Sequence, residues 1–405
     1  MSIPLIEIEA RNQIVMRFVR GFGDYNCDMA NHPDVLIVGG GIIGLTSAYF
    51  LAKSGVTVEV IDRGELGREA SWAGAGIIPP GNPEHAATPA DKLRAFSTAQ
   101  FASFSDELRE RTGINNGFLR CGGIEFLDDH DRYVLELWQN EGIDFEHVPP
   151  EVLHAREPHL AAPSLDAYRL PTMGQVRNPW HLRALIAACE SVGVRLSPRT
   201  SFIGWGQIRK RVIAVQTMSA NRKPAGQFLV AGGAWAASIL RPLGYQLPVA
   251  PVRGQIVLFR PERPVLSHVV TVGKRYLVPR ADGRILVGST EEPEAGFEKA
   301  NTPEGIRELT EFAWNLVPAL REVPIEQTWA GLRPGSPDGM PFLGPVPETE
   351  NVFAAVGHFR AGVQLSLGTA QIVTHAIRKE PLPIPIEAFR LTREPDYRTR
   401  PAFRS

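Results

Sequence analysis

Gly39, Gly41 and Gly44 stand at the spacing of a phosphate cradle, in the run Val35-Leu-Ile-Val-Gly39-Gly40-Gly41-Ile42-Ile43-Gly44. The chemistry of that spacing is anion binding without a charged side chain. Gly39 permits a tight turn after a strand, Gly41 lets the backbone approach a pyrophosphate, and Gly44 lets the following helix pack closely on the strand. The N–H groups at the start of that helix, around Ile42 and Ile43, then face the phosphates with the positive end of the helix dipole. Asp62 follows 23 residues after Gly39, at the end of the next strand, where an acid hydrogen-bonds a ribose hydroxyl. Strand, turn, helix and acid together predict a bound dinucleotide. The cradle alone does not choose between NAD and FAD. Soon afterwards Ser71-Trp-Ala-Gly74-Ala75-Gly76-Ile77-Ile78 offers small residues along which a long cofactor can lie on the backbone.

These residues need elements to hold them. Val35–Val38 reads as a buried strand, Ile42–Lys53 as a helix and Thr57–Ile61 as a second strand, a βαβ opening. The run 91–111 has helical periodicity in Leu93, Phe96, Phe101, Phe104 and Leu108. Strand 124–127 and helix 133–140 follow. Asn178-Pro179 reads as a cap with proline in the first turn, opening a helix to about Ser191. Strands near 195–196, 212–216 and 228–231 lead to Gly232-Gly233. From Val252 to Thr290 the pattern turns to short strands, at 255–259, 269–272, 276–279 and 285–287, with connections short enough for an antiparallel sheet. Thr302-Pro303 caps another helix, Val352–Ala355 is a last buried strand and Val363–Ile377 a last helix. The fold class is α/β: a Rossmann-like dinucleotide-binding domain with a second domain built on a largely antiparallel sheet flanked by helices.

Composition removes several function classes. The 405 residues are 43% hydrophobic and 21% charged with a net charge of −1, a globular chain without the basic balance of a nucleic-acid binder. Glycine (38) and proline (34) exceed their usual combined share of roughly 12% without any repeat, so the chain is rich in tight turns. Cys27, Cys121 and Cys189 lie far apart, in no pattern that suits zinc or a disulfide framework, and a reducing, cytoplasmic setting fits them. Val35–Ala52 is uncharged for 18 residues, but its glycines argue for strand, turn and helix rather than a membrane span. Residues 1–33 look unlike the rest and match no signal peptide; they are expected to be a poorly ordered extension, with Met29 an alternative start.

Four segments and a fifth now resemble the D-amino-acid oxidase superfamily of flavoproteins, nearest to its glycine-oxidase branch in the thiazole arm of thiamine synthesis. They are Val35–Arg63, Ser71–Pro79, Arg275-Tyr276-Leu-Val-Pro-Arg280 running on to Gly288-Ser-Thr-Glu291, and Trp329-Ala-Gly-Leu-Arg333-Pro-Gly-Ser-Pro-Asp-Gly339. Gly357-His358-Phe359-Arg360-Ala361-Gly362 completes the set. The resemblance implies FAD held in an extended form. Gly39, Gly41, Gly44, Asp62 and Arg63 would hold its ADP half, and Ser71, Ala75, Gly76 and Ile77 would lie along the ribityl chain and flavin. Phe202 (through its backbone), Gly232 and Gly233 would close the other side. His358, Arg360, Gly362 and Val363 would meet the flavin carbonyl edge at the N-terminus of the last helix, where negative charge on a reduced flavin is favoured. No cysteine lies beyond position 189, where covalent relatives attach the flavin, so non-covalent FAD is expected.

For a substrate the resemblance implies a small amino acid, with Arg333 and Tyr276 on its carboxylate; a guanidinium suits that group bidentately. Arg360 is placed beside it, and Glu291 either meets the amino group or is a solvated charge at a strand end. The implied reaction takes glycine to glyoxylate and ammonia, with molecular oxygen as the acceptor. No acid–base dyad and no metal is implied. Lys274 replaces a histidine of some glycine oxidases and Ala361 an asparagine, which bears on substrate size rather than on flavin chemistry. A sarcosine-type or D-amino-acid oxidase or dehydrogenase with another acceptor remains the alternative, as does a flavin-binding module without turnover; an NAD-dependent dehydrogenase fits less well. Residues 34–85, 165–240 and 330–390 are assigned to the FAD-binding domain, 86–164 and 241–329 to the substrate-binding domain, and 391–405 to a C-terminal tail. A homo-oligomer is left open.

Overall fold

The computed structural model describes residues 32–161, 163–397 and 401–403. The extension read at residues 1–33 thus lies almost wholly outside the described residues.

The runs that are apolar without interruption become buried parallel strands, because a sheet covered on both faces has no solvent side to pattern. Val35–Val38 (Val-Leu-Ile-Val) is the centre, with every residue buried. It pairs in parallel with Val58–Ile61 on one side and Gln227–Val230 on the other. Arg195–Ser197 extends one edge in parallel. Val352–Val356 extends the other, and Phe342–Pro345 closes that edge antiparallel, giving a six-stranded sheet. The helices Ile42–Lys53, Asn178–Ser191 and Ser366–Arg378 present Leu45, Leu185, Ile372 and their neighbours to one apolar core that also takes in Val35 and Ile37.

A second, eight-stranded sheet carries the rest. Its order is Ile325–Gly335, Ala250–Phe259, Ile285–Gly288, Arg275–Pro279, Val269–Val272, Gly123–Leu127, Asp166–Leu170 and Glu146–Val148. Every junction is antiparallel except that of Val269–Val272 with Gly123–Leu127. Helix Pro303–Leu316 packs Leu309, Ala313 and Leu316 into the core beneath this sheet, and Thr302 caps it by accepting from the Gly305 N–H at 3.1 Å.

Three local readings change. The expected single helix over 91–111 is two, Pro89–Thr98 and Phe101–Thr112, and between them the Gln100 amide donates to the Phe96 carbonyl at 2.7 Å, taking the place of a ladder bond. Asn178 is the first helical residue rather than the cap, because its amide is drawn to the Ser71 carbonyl at 2.8 Å. The last helix starts at Ser366, not Val363; residues 360–365 form turns closed by Ala361 N–H to His358 O and Leu365 N–H to Ala361 O. Among the described residues no helix is long and apolar enough to cross a membrane.

Candidate active site

The turn after the central strand is shaped by exclusion. Gly39 has φ +117°, and a β-carbon there would sit 2.3 Å from the Ala231 carbonyl oxygen; one at Gly44 would sit 1.9 Å from the Gly39 oxygen. Strand, turn and helix can close only with glycine at both positions. Gly41 differs. A β-carbon there meets nothing within 4 Å except the Ser71 hydroxyl at 3.2 Å, so its open side faces the cleft. Ser71 also accepts from the first helical N–H, that of Ile42, at 2.9 Å. Asp62 stands at the end of the second strand and accepts from the N–H groups of Gly40 and Gly64, each at 2.8 Å. Burial nevertheless raises its pKa above the usual carboxylate value.

From this turn one continuous cleft, with a cavity volume of about 400 Å³, runs between the two sheets, a size ordinary for a small-molecule site. Every cofactor- or substrate-binding residue expected from the sequence borders it except Gly44 and Glu291, and Ala361 packs on the apolar core instead of lining the cleft. Gly44 does packing alone. At the cradle end the Arg63 guanidinium lies 3.6 Å from the Trp235 ring centroid, and Phe202, Gly232 and Gly233 form the facing wall. Further along, Ala75, Gly76 and Ile77 border the cleft, with Gly76 at φ +74°. A β-carbon on Gly76 would strike the Val176 carbonyl oxygen at 2.2 Å.

On the side of the second sheet stand Tyr276 and Arg333, brought together from two of its strands. Arg333 Nη1 donates to the Thr290 carbonyl at 3.1 Å, and Nη2 to the Ser289 hydroxyl at 2.5 Å. Both acceptors are neutral, and among the described residues no carboxylate forms an ion pair with it. Burial pulls its pKa below that of a free arginine, opposed by its interaction with the Tyr276 phenol. A half-buried cation in this state gains from an added anion.

Glu291 lies outside the cleft lining and is no solvated charge. It accepts from Lys274 Nζ at 2.7 Å and Arg360 Nη1 at 3.0 Å. Burial alone would raise its pKa, but these two cations hold it below the usual range. Arg360 also donates to the Lys274 carbonyl at 2.7 Å, so its side chain is committed to this cluster, while Arg360, Gly362 and Val363 border the cleft. The helix start expected there lies at Ser366, further along the chain. The His358 ring turns away to the Thr369 hydroxyl at 3.0 Å, and burial pushes its pKa down to about 3; it is neutral and positions backbone.

Three functional candidates carry no role in the sequence reading. Gly254 and Gly288 make the seats of the Arg333 and Tyr276 side chains. A β-carbon at Gly254 would lie 2.2 Å from Arg333 Nη2, and one at Gly288 would lie 2.6 Å from the Tyr276 ring. Each is a glycine within a strand, which is the available signal, since such glycines mark close approach of another group. Arg280, in the motif already noted, is buried and donates to Ala75 O at 2.7 Å, Gln175 Oε1 at 2.7 Å and Val176 O at 3.1 Å. It fixes the stretch beside Gly76.

A cradle with two obligatory glycines, an acid at the second strand and a long cleft of backbone and small residues fit a dinucleotide such as FAD. Comparison with known proteins agrees. The family model described as FAD dependent oxidoreductase matches residues 34–376. The glycine oxidase of Pseudomonas aeruginosa is 35% identical over 351 residues, covering 86% of this chain and 96% of that protein. The hydrogen cyanide synthase subunit HcnC of the same organism is 31% identical over 398 residues, covering 88% and 95%. The crystal structure of glycine oxidase from Geobacillus kaustophilus superposes with a TM-score of 0.84 at 31% identity, covering 90% of this chain and 99% of that one. The chain therefore belongs to the FAD-dependent oxidoreductase family of the D-amino-acid oxidase type.

Proposed function

We propose that this protein oxidises small amino acids at a non-covalently held FAD, with glycine the foremost substrate and glyoxylate, ammonia and hydrogen peroxide the products. The observation that carries the reading is Arg333: a half-buried cation with neutral hydrogen-bond partners, beside Tyr276, on the second-sheet side of the cleft. A substrate carboxylate supplies the missing charge and can bond the guanidinium fork and the phenol together. The six-stranded layer would serve the cofactor and the eight-stranded layer the substrate.

FAD, when bound, would supply the acceptor for a hydride from the substrate α-carbon. This chain's part is placement. Gly39, Gly41, Asp62 and Arg63 would hold the ADP half; Ser71, Ala75, Gly76 and Ile77 would line the ribityl and ring, with Phe202, Gly232 and Gly233 opposite. Arg333 and Tyr276 would fix the carboxylate and so aim the C–H bond, and such orientation supplies much of a barrier reduction. A neutral amine can push out the hydride unaided, and His358, held neutral with its ring on Thr369, offers no base. The thiols of Cys121 and Cys189 are free, in keeping with a reducing, cytoplasmic setting. Incubation with glycine, sarcosine and D-alanine in air, assayed for peroxide and oxo-acid, tests the reading. Peroxide from sarcosine or D-alanine alone moves the substrate assignment, and flavin reduction without peroxide moves the acceptor.

A further inference from the structure

The C-terminal residues 401–403 return to the cleft. Ala402 N–H donates to Asp91 Oδ1 at 3.2 Å, and Ala402 O accepts from Trp138 Nε1 at 2.8 Å. These bonds hold the segment on two helices, Pro89–Thr98 and Tyr133–Glu141. The platform is itself rigid: Arg94 is buried between the carboxylates of Asp91 and Glu141 and pairs with both. Phe403 stacks on Trp138 with centroids 5.4 Å apart and planes at 24°, and the Arg94 guanidinium lies 4.9 Å from its centroid. The ring is buried, at 6% exposure, yet it borders the cleft, as do Ile77, Pro79 and Met173. It belongs to an apolar cluster with Ala75 and Ile256, against which Tyr276 packs, and this sets it on the second-sheet side of the cleft, away from the cradle.

We infer that Phe403 is a specificity-determining residue: the C-terminal segment delivers its ring to the cleft wall, where it limits the room for the substrate's side chain. The inference rests on the amino-acid reading above. An aromatic wall stiffened by a stacking partner and a cation cannot shrink, and it cannot pair a polar group brought against it. Substrates with little or no side chain fit; longer ones meet the ring. The segment is an active-site component from a part of the chain beyond the family match, which ends at residue 376.

The test uses holoenzyme of the wild type, Phe403→Ala and Phe403→Leu. Kinetics are measured on D-alanine and D-norvaline, and acetate and benzoate are titrated against the flavin absorbance. Phe403→Ala is expected to raise the norvaline-to-alanine ratio of kcat/KM roughly tenfold or more, the discrimination a hydrophobic pocket exerts per methylene, and to shift the benzoate-to-acetate affinity ratio in the same direction. Phe403→Leu, which keeps an apolar anchor, falls between. Unchanged ratios in whichever variant folds overturn the inference, and so does loss of FAD, which would assign the ring to the cofactor. Failure of acetate and benzoate to perturb the wild-type flavin would instead overturn the carboxylate reading, leaving the two failures distinct.

Discussion

Gly254 faces Arg333 so closely that a β-carbon at 254 would sit 2.2 Å from Nη2 and 2.4 Å from Cζ of the guanidinium. The two belong to adjacent antiparallel strands, where Gly254 opposes Gly331 and Arg333 is its diagonal neighbour. What residue 254 lacks is what gives the guanidinium its place. Gly288 stands in the same relation to the Tyr276 ring.

Gly254→Ala tests that seat. The position has no left-handed backbone to strain, so the added methyl acts first on the guanidinium, which supplies its three nearest atoms. FAD content is expected to match the wild type, while kcat/KM for glycine falls about 10²-fold, the scale of a 1 Å misplacement. Steady-state kinetics on flavin-loaded protein check it; wild-type kinetics would detach Arg333 from the reaction.

Gly41→Val tests the cradle. Its new side chain has only the Ser71 hydroxyl near it on the protein side and must project into the cleft, where a pyrophosphate would lie. The expected product is folded, flavin-free protein, read from the absorbance spectrum after purification. A yellow, fully loaded variant would refute the assignment.

The cradle was legible in the sequence because it is local: glycine spacing, strand, helix and Asp62 fall within one βαβ unit, and its geometry is set by sterics close in the chain. The pairing of Tyr276 with Arg333 was legible only through resemblance, since the two meet by the pairing of strands remote in sequence. The strand Ile325–Gly335 was not read as one, because Gly331, Pro334 and Gly335 interrupt the alternation that marks strands. Arg360 was expected at a helix start, and its side chain is drawn instead to Glu291 and the Lys274 carbonyl. Phe403 gave no sign, as nothing in a short C-terminal run tells where it docks.

Arg280 should matter to the cofactor without touching the phosphate cradle. Burial lowers its pKa to about 10, and it hydrogen-bonds the Ala75 carbonyl. Arg280→Met strands that carbonyl and Gln175 Oε1, a loss of about 1–3 kcal/mol per buried group. The dissociation constant for FAD, followed by fluorescence of released flavin, is expected to rise at least tenfold and to recover partly in Arg280→Lys. An unchanged constant in the Met variant would remove Arg280 from the flavin site.

Glu157 links stability to pH. It is buried, accepts from the N–H groups of Ser267 at 3.0 Å and His268 at 2.9 Å, and lies 2.6 Å from His268 Nδ1. Burial alone would raise its pKa, but the bonds from His268 and Ser267 outweigh burial and hold it below the usual range. A depressed acid contributes stability above its unfolded pKa, about 4.3, and loses it as pH falls through the folded value. Glu157→Gln is therefore expected to cost about 1–3 kcal/mol at neutral pH, with the gap in Tm closing as pH falls below roughly 4. A gap that stays constant with pH would contradict the linkage.

The central claim is that a small amino acid, gripped through its carboxylate by Arg333, reduces the flavin. Anaerobic mixing of holoenzyme with glycine, sarcosine or D-alanine, followed by admission of oxygen, tests it directly, with Arg333→Ala alongside. The wild-type flavin should bleach, fastest with glycine, and regain its colour with peroxide on reoxidation. Arg333→Ala should keep its FAD but lose about 2–5 kcal/mol in kcat/KM, the usual penalty for stranding one member of a charge pair. A wild-type flavin left oxidised by all three amines, or an Arg333→Ala variant reduced as fast as the wild type, would contradict the account.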